Sequence, residues 1–284
     1  GGSAEVALAP DSNINRATRS DTLGTVIGDF ILDEDARAKS GVGLDLRGQG
    51  YLRLGLLPGA SLLVRASGSG TLYRRADFND ISTGLQAGPQ YRWGGNQLTF
   101  SAGPAWRWYG GQPYSRTIGG NLGWQRPLGR RGQLRLEAGV AQVANRRNAL
   151  QDATDFTLSA AFDRAFDART GGGVQLTGFR EAAADPGYSL ARGGVSFYLF
   201  REIGRTTLVG TLGYSHLESD QRLLLYPERR IEDRYSASLA MTLRAISLGS
   251  FAPLARLRWE RNRASVEIYD YRRVAAEFGL TSAF

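Results

Sequence analysis

The chain has no cysteine among its 284 residues. That removes disulfide frameworks, thiolate zinc sites and cysteine nucleophiles, and it suits a polypeptide that crosses an oxidising periplasm without mispairing. There is also no run of about 18 apolar residues such as a helical membrane span needs. The most apolar uncharged stretch, Leu54 to Val64, is broken by Pro58-Gly59, so helical membrane proteins are excluded. Histidine occurs once, as His216, and lysine once, as Lys39. The opening Gly1-Gly2-Ser3-Ala4-Glu5 has neither the basic nor the apolar region of a signal peptide, and the chain is expected to be a mature form or an excised domain.

What is present in excess is glycine, with 37 residues, about twice ordinary usage and without a collagen period. Aromatic residues at 10% and few prolines argue against disorder. The formal net charge of +8 rests almost wholly on arginine. Those arginines are spread along the chain, between glycines and aromatics and beside acids such as Asp45, Glu137 and Glu260. A nucleic-acid surface gathers its cations on one helix or face, so nucleic acid is not an expected partner.

Period-two alternation recurs in almost every segment, the mark of strands with two chemically different faces. Between Gly94 and Gly110, Leu98, Phe100, Ala102, Pro104, Trp106 and Trp108 alternate with Gln97, Thr99, Ser101, Gly103, Ala105 and Arg107. Val42, Leu44 and Leu46 alternate with Gly43, Asp45 and Arg47, and the segment from Arg234 to Arg244 repeats the theme. Tight turns are expected at Leu57–Gly59, Trp93–Asn96, Leu128–Gly132, Phe166–Thr170, Glu202–Arg205 and Ser247–Ser250. The other connections fall near Pro10–Ser40, Arg75–Asp80, Gly110–Ser115, Arg146–Asp152, Ala182–Gly187, Glu218–Glu232 and Asn262–Ile268. About thirteen links imply about fourteen antiparallel strands with short turns on one rim and longer loops on the other, the layout of an outer-membrane β-barrel. Both chain ends then lie on the short-turn, periplasmic side. A soluble β-sandwich also alternates. Against it stand the number of strands and the aromatics Trp93, Trp106, Trp108, Trp124, Tyr214, Tyr235 and Trp259, which fall toward strand ends as interfacial girdles do.

No catalytic, cofactor or metal site is expected. His216 shares a face with Leu212 and Tyr214, which points it toward the lipid interface, although a general base beside Ser215 or Glu218 is the alternative. Asp29, Asp33, Glu34 and Asp35 form an acidic cluster in the first loop, but without the glycine and spacing of a calcium loop. Arg47, Arg65, Arg107, Arg135, Arg244, Arg256, Arg258 and Arg273 fall in register with small residues or acids and are expected to line the lumen with Glu137, Glu260 and Glu277. Two roles are open to them: ladders of ion pairs with these acids, Asp45, Asp155 and Asp163 that stiffen the wall, or a cationic field that orients an acidic passenger. The two are compatible.

Three blocks carry a resemblance: Ala9-Pro10-Asp11-Ser12-Asn13-Ile14-Asn15, Trp106-Arg107-Trp108-Tyr109-Gly110-Gly111-Gln112-Pro113-Tyr114-Ser115 and Ala264-Ser265-Val266-Glu267-Ile268-Tyr269-Asp270-Tyr271. In this order they resemble the barrel domain of the surface lipoprotein assembly modifier family, with a departure at Ser265-Val266-Glu267. The resemblance implies a fourteen-stranded barrel that helps lipoproteins, or soluble haem- or iron-acquisition proteins, reach the cell surface. It also implies a periplasmic domain of tetratricopeptide repeats upstream, and no helical repeat of about 34 residues is present in this chain. Phe278, Leu280 and the terminal Phe284 resemble the signal read by the barrel-insertion machinery, with Ser282 departing from it. Outer-membrane lipid, a passenger protein and that machinery are the expected partners. The rival functions are a passive porin, a membrane-embedded hydrolase and an adhesive barrel.

Overall fold

The computed structural model describes residues 1–247 and 249–284; Leu248, within one expected turn, lies outside the described residues. The strands are β1 (Gly2–Asp11), β2 (Thr22–Thr25), β3 (Gly28–Ile31), β4 (Gly41–Leu57), β5 (Ala60–Tyr73), β6 (Asp80–Trp93), β7 (Asn96–Tyr109) and β8 (Gln112–Leu128). They continue as β9 (Gly132–Asn145), β10 (Ala153–Ala165), β11 (Thr170–Ala183), β12 (Leu190–Ile203), β13 (Thr206–Ser219), β14 (Ile231–Leu243), β15 (Phe251–Ala264) and β16 (Tyr271–Ala283). All but β2 and β3 join one closed antiparallel barrel of 14 strands, in which β1 lies between β4 and β16. Closure leaves no sheet edge, which is what hydrocarbon demands of a strand-built span.

The pleat sorts the side chains as the alternation requires. Leu44 and Leu46 on β4, Leu158 on β10, Leu176 on β11, Leu212 on β13 and Phe278 on β16 stand exposed on the outer surface. Their sequence neighbours face inward, and the buried inward residues include Ala7, Asp11, Asp45, Asn262 and Glu277 near the closing strands as well as Leu63, Gln90 and Ala161 elsewhere in the barrel. Trp93 does end its strand, whereas Trp259 stands nearer the middle of β15.

The two rims differ. On the chain-end side the connections are Pro58-Gly59, Gly94-Gly95, Gly129–Arg131, Phe166–Arg169, Gly204-Arg205 and 244–250. The opposite rim carries 12–40, 74–79, 146–152, 184–189, 220–230 and 265–270. It also holds one connection tighter than expected: Gly110 and Gly111, at φ 58° and 73°, make a two-residue turn between β7 and β8. Two successive positive φ angles match the twist of a hairpin, and glycine adopts them without a Cβ penalty. The first loop is not irregular throughout, since β2 and β3 pair as a hairpin. Its Val26 N donates to Leu225 O at 3.1 Å and its Gly24 N to Glu267 at 3.2 Å, so it lies against the loops that follow β13 and β15.

Charge also divides between the rims. The short-turn rim carries Arg53, Arg92, Arg126, Arg130, Arg131, Arg164, Arg169, Arg201, Arg205 and Arg244 against the acids Asp167 and Glu202. That imbalance is as large as the net charge of the whole chain, +8. The long-loop rim mixes both signs.

The barrel closes where β1 meets β16. Ser3–Leu8 pair with Phe278–Ala283; pairing then lapses at Ala9 and Pro10 before Asp11 meets Ala275. Pro10 has no N–H to give to β16. Just beyond, Ser12 N donates to Val274 O at 3.0 Å and Ser12 Oγ accepts from Val274 N at 2.8 Å, which resumes the ladder. Gly279 permits the close approach of the two strands, because a Cβ there would collide with the Val6 carbonyl and with Ala7. Gly193, on β12, has open space around it. Gly279→Ala is therefore expected to cost about 1–3 kcal/mol in urea unfolding from lipid bilayers, the usual range for overpacking, while Gly193→Ala stays within about 0.5 kcal/mol of the parent.

Candidate functional site

The inner wall is built in two halves. On β1, β4, β15 and β16 the inward positions carry Glu5, Asp45, Arg47, Arg256, Arg258, Glu260, Arg273 and Glu277, which form two ion-pair clusters, one about Glu277 and one about Arg273. Arg47 on β4 donates to Glu5 at 2.6 Å and to Glu277 at 3.1 Å, and also holds Asp45. Arg256 on β15 bonds Glu5 at 3.1 Å and contacts Glu277 as well. Arg258 reaches Glu277 at 3.2 Å. Glu5 and Glu277 sit on the two strands that close the barrel, so Arg47 and Arg256 each bridge the closure from a flanking strand.

Toward the long-loop rim the same wall continues. Arg273 meets Asp11 at 2.6 Å and Glu260 at 2.9 Å, and Arg16 from the first loop reaches Glu260 at 3.3 Å. Asp11 also accepts from Asn13 N at 2.8 Å, and the fully buried Asn13 donates to Ala17 O and Arg272 O. Asn15 donates to Asp35 O and Arg37 O and accepts from Lys39 N, which ties the two ends of the loop together. Tyr271 is buried, with its hydroxyl 3.3 Å from Glu260. Arg230 stacks over the Tyr269 ring at 3.8 Å. The first and third motif blocks thus meet beside the closing strands.

The second block lies elsewhere. Trp108, Tyr109, Gly110 and Gly111 form the β7–β8 hairpin, where Arg107 binds Asp80 at 2.6 Å and lies over the Tyr114 ring. Arg147 stacks on Tyr109 and Tyr114.

The other half carries its charges more widely spaced, among them Arg65, Arg107, Arg135, Asp163, Arg192 and Glu232. Inward positions on β6–β9 are mostly small, including Gly84, Gly103, Ala105, Thr117, Gly119, Gly139 and Ala141. They leave a cavity of about 600 Å³, open to the lumen and bordered by Tyr51, Arg65, Gln86, Asn121, Asp155 and Thr157. Farther round, Arg135 binds Asp163 at 2.9 Å, and Tyr198 donates to the same carboxylate at 2.5 Å.

Several expected residues stand apart from the two clusters. Arg65 and Glu137 have no ion-pair partner among the described residues, and Asp155 Oδ1 has no hydrogen-bond partner there. Arg244 is not on a strand: β14 ends at Leu243, and Arg244 lies in the following turn near Thr207 and Glu202, at the mouth of the barrel. Phe278 and Leu280 are on the outer face of β16, and Phe284 lies past its end, joined to Gly2 through the backbone. Sequence reasoning missed Glu5, Asp80 and Arg16. The alternation Glu5-Val6-Ala7-Leu8 was the available sign for the first of them.

His216 faces outward, between Asp233 at 2.9 Å and Glu218 at 3.1 Å. Among the described residues no group of three or more metal-ligating side chains is assembled. Two of the four loop acids have cationic partners: Asp35 binds Arg75 at 2.5 Å and Lys39 at 3.0 Å, and Glu34 binds Lys39 at 3.1 Å.

The family model for the surface lipoprotein assembly modifier matches residues 2–282. The chain belongs to the surface lipoprotein assembly modifier family. No curated protein is significantly similar to it in sequence. Among solved structures, a FadL homologue of Pseudomonas aeruginosa is similar over 99% of this chain and 89% of its own, at TM-score 0.56 and 10% identity. The toluene transporter TodX of P. putida is similar over 100% and 90%, at TM-score 0.51 and 11% identity. OmpT of Vibrio cholerae with loop L8 deleted is similar over 99% and 98%, at TM-score 0.54 and 9% identity. At such identities the likeness is one of fold. A surface lipoprotein assembly modifier with this fold is an outer-membrane protein that acts in the assembly and export of surface lipoproteins.

Two outcomes test this geometry. Glu277→Ala leaves Arg47, Arg256 and Arg258 without their shared carboxylate and is expected to cost about 3 kcal/mol in urea unfolding from bilayers, as for a broken buried pair. Adding Arg256→Ala should cost less than the sum of the two single changes. In the first loop, hydrogen bonds from Arg75 and then Lys39 hold the Asp35 carboxyl down at about 2, below its ordinary 3.8. The folded value being the lower one, this pairing supports the loop above pH 3.8 and is lost as pH falls toward 2. A fluorophore on Ile27→Cys, the only thiol in such a chain, is expected to gain mobility over that window, and Asp35→Asn to be equally mobile at neutral pH.

Proposed function

We propose that the lumen of this barrel is the path by which a passenger crosses the outer membrane, with the short turns and both chain ends on the periplasmic side. The observation that supports this reading is the division of the inner wall. Its densest ion pairing lies along the closing strands, while the mid-strand inward positions of β6–β9 offer glycine, alanine and threonine. Paired charges have little field left to trap a moving chain, and small side chains leave room for it; passage requires contacts weak enough to release.

Passengers in this reading are lipoproteins and, beyond them, soluble haem- or iron-acquisition proteins. A periplasmic repeat domain preceding the barrel would recruit them. The barrel itself reaches the membrane through the insertion machinery, for which Phe278, Leu280 and Phe284 are the recognition residues. The path includes no covalent step, and His216 has no part in it.

The test is protease-accessible display on intact cells that co-express the full-length parent protein and a lipoprotein encoded beside it. Display is expected to fall to background when the barrel is deleted, and to survive His216→Ala. Display unchanged without the barrel would overturn the proposal, and steady ion-selective conductance by the barrel alone in planar bilayers would favour a porin.

A further inference from the structure

Three arginines at the short-turn end of the barrel point to lipid rather than into the lumen. Arg126 on β8 is paired with Leu134, Arg164 on β10 with Gly132, and Arg201 on β12 with Thr170. Arg135 and Asp163 face inward, so these positions, one residue out of phase with that set, face out. All three are exposed, and none has an ion-pair partner among the described residues. Asp167, in the β10–β11 turn, accepts from Arg169 N at 2.7 Å and feels the charge of Arg201 without pairing with it.

The strands between the arginines present glycine level with Arg164, from which Arg126 and Arg201 are offset by two residues along the strands. Gly132 on β9 is paired with Arg164, and Gly172 on β11 lies between Arg164 and Leu199. Side chains of Phe162 and Leu199 lie over these glycines, and with Leu134 they carry the apolar outer surface from the arginines toward the bilayer centre. The arginines thus stand exposed at the edge of an apolar face.

We propose that these three arginines bind the headgroups of anionic glycerophospholipids in the leaflet on the short-turn side. Guanidinium groups meet phosphate oxygens in bidentate fashion, and acyl chains lie along the leucine and phenylalanine surface above. An acidic protein segment would have the charge for the arginines but no use for outward-facing side chains continuous with the apolar band. The site acts independently of any passenger, so its failure leaves the translocation reading untouched.

The experiment is native mass spectrometry of the purified barrel in micelles doped with equal amounts of phosphatidylglycerol and phosphatidylcholine. The parent chain is expected to retain phosphatidylglycerol in preference. The combined variant Arg126→Gln, Arg164→Gln and Arg201→Gln should lose that preference by about 100-fold at low salt, given the usual contribution of each basic residue near an anionic surface. The corresponding triple lysine variant should keep most of it. Equal retention of both lipids by the parent chain would overturn the proposal without any variant having to fold. Undiminished preference in a glutamine variant whose heat-dependent gel mobility shows it folded would overturn it as well.

Discussion

A strand in hydrocarbon has no water to satisfy its edge, so the first strand of this chain must find the last. That single requirement governs the structure. Once β1 lies between β4 and β16, every strand has two neighbours and the sheet separates lipid from lumen. The two-residue period of the sequence becomes a division between outside and inside. The interior then needs no apolar core, and its buried residues include carboxylates and amides that an ordinary globular domain would rarely hide.

Closure is also where the backbone is least regular, because Pro10 withholds an N–H and pairing lapses beside it. Side chains take over at that point. Glu5 and Glu277, on the two closing strands, are gripped by arginines from the strands outside them, and Asp11 and Ser12 carry the connection to the rim. Asp11, Ser12 and Asn13 of the first block tie β1 to β16 here, and Tyr271 of the third block shares Glu260 with Arg273. The second block is a hairpin on another part of the rim, and among the described residues nothing links it to these two.

Much of the fold was legible in the sequence because alternation reports the face of each residue directly. The number of strands, the two rims and the inward placement of Arg47, Arg256, Arg258 and Arg273 followed from it. Neighbourhood was not legible. Arg47 and Glu277 are 230 positions apart and meet only because the ends of the chain meet, and alternation carries no information on that. For the same reason the gathering of shared ion pairs about the closing strands could not be foreseen from arginines spread evenly along the chain. The β2–β3 hairpin was hidden by its brevity, and Arg244 kept the strand pattern one residue past the strand's end. Gly110-Gly111 reads as a hairpin turn once its angles are known, but it was placed in a longer link.

Because closure is the premise of the rest, its register is the quantity to measure. The chain has no cysteine, so a pair introduced at Ser3 and Ala283, which face each other across β1 and β16, can be oxidised without competition. Disulfide formation in outer-membrane vesicles is expected for Ser3→Cys with Ala283→Cys and not for Ser3→Cys with Thr281→Cys. Failure of the first pair, or equal cross-linking of both, would contradict the closed barrel described above.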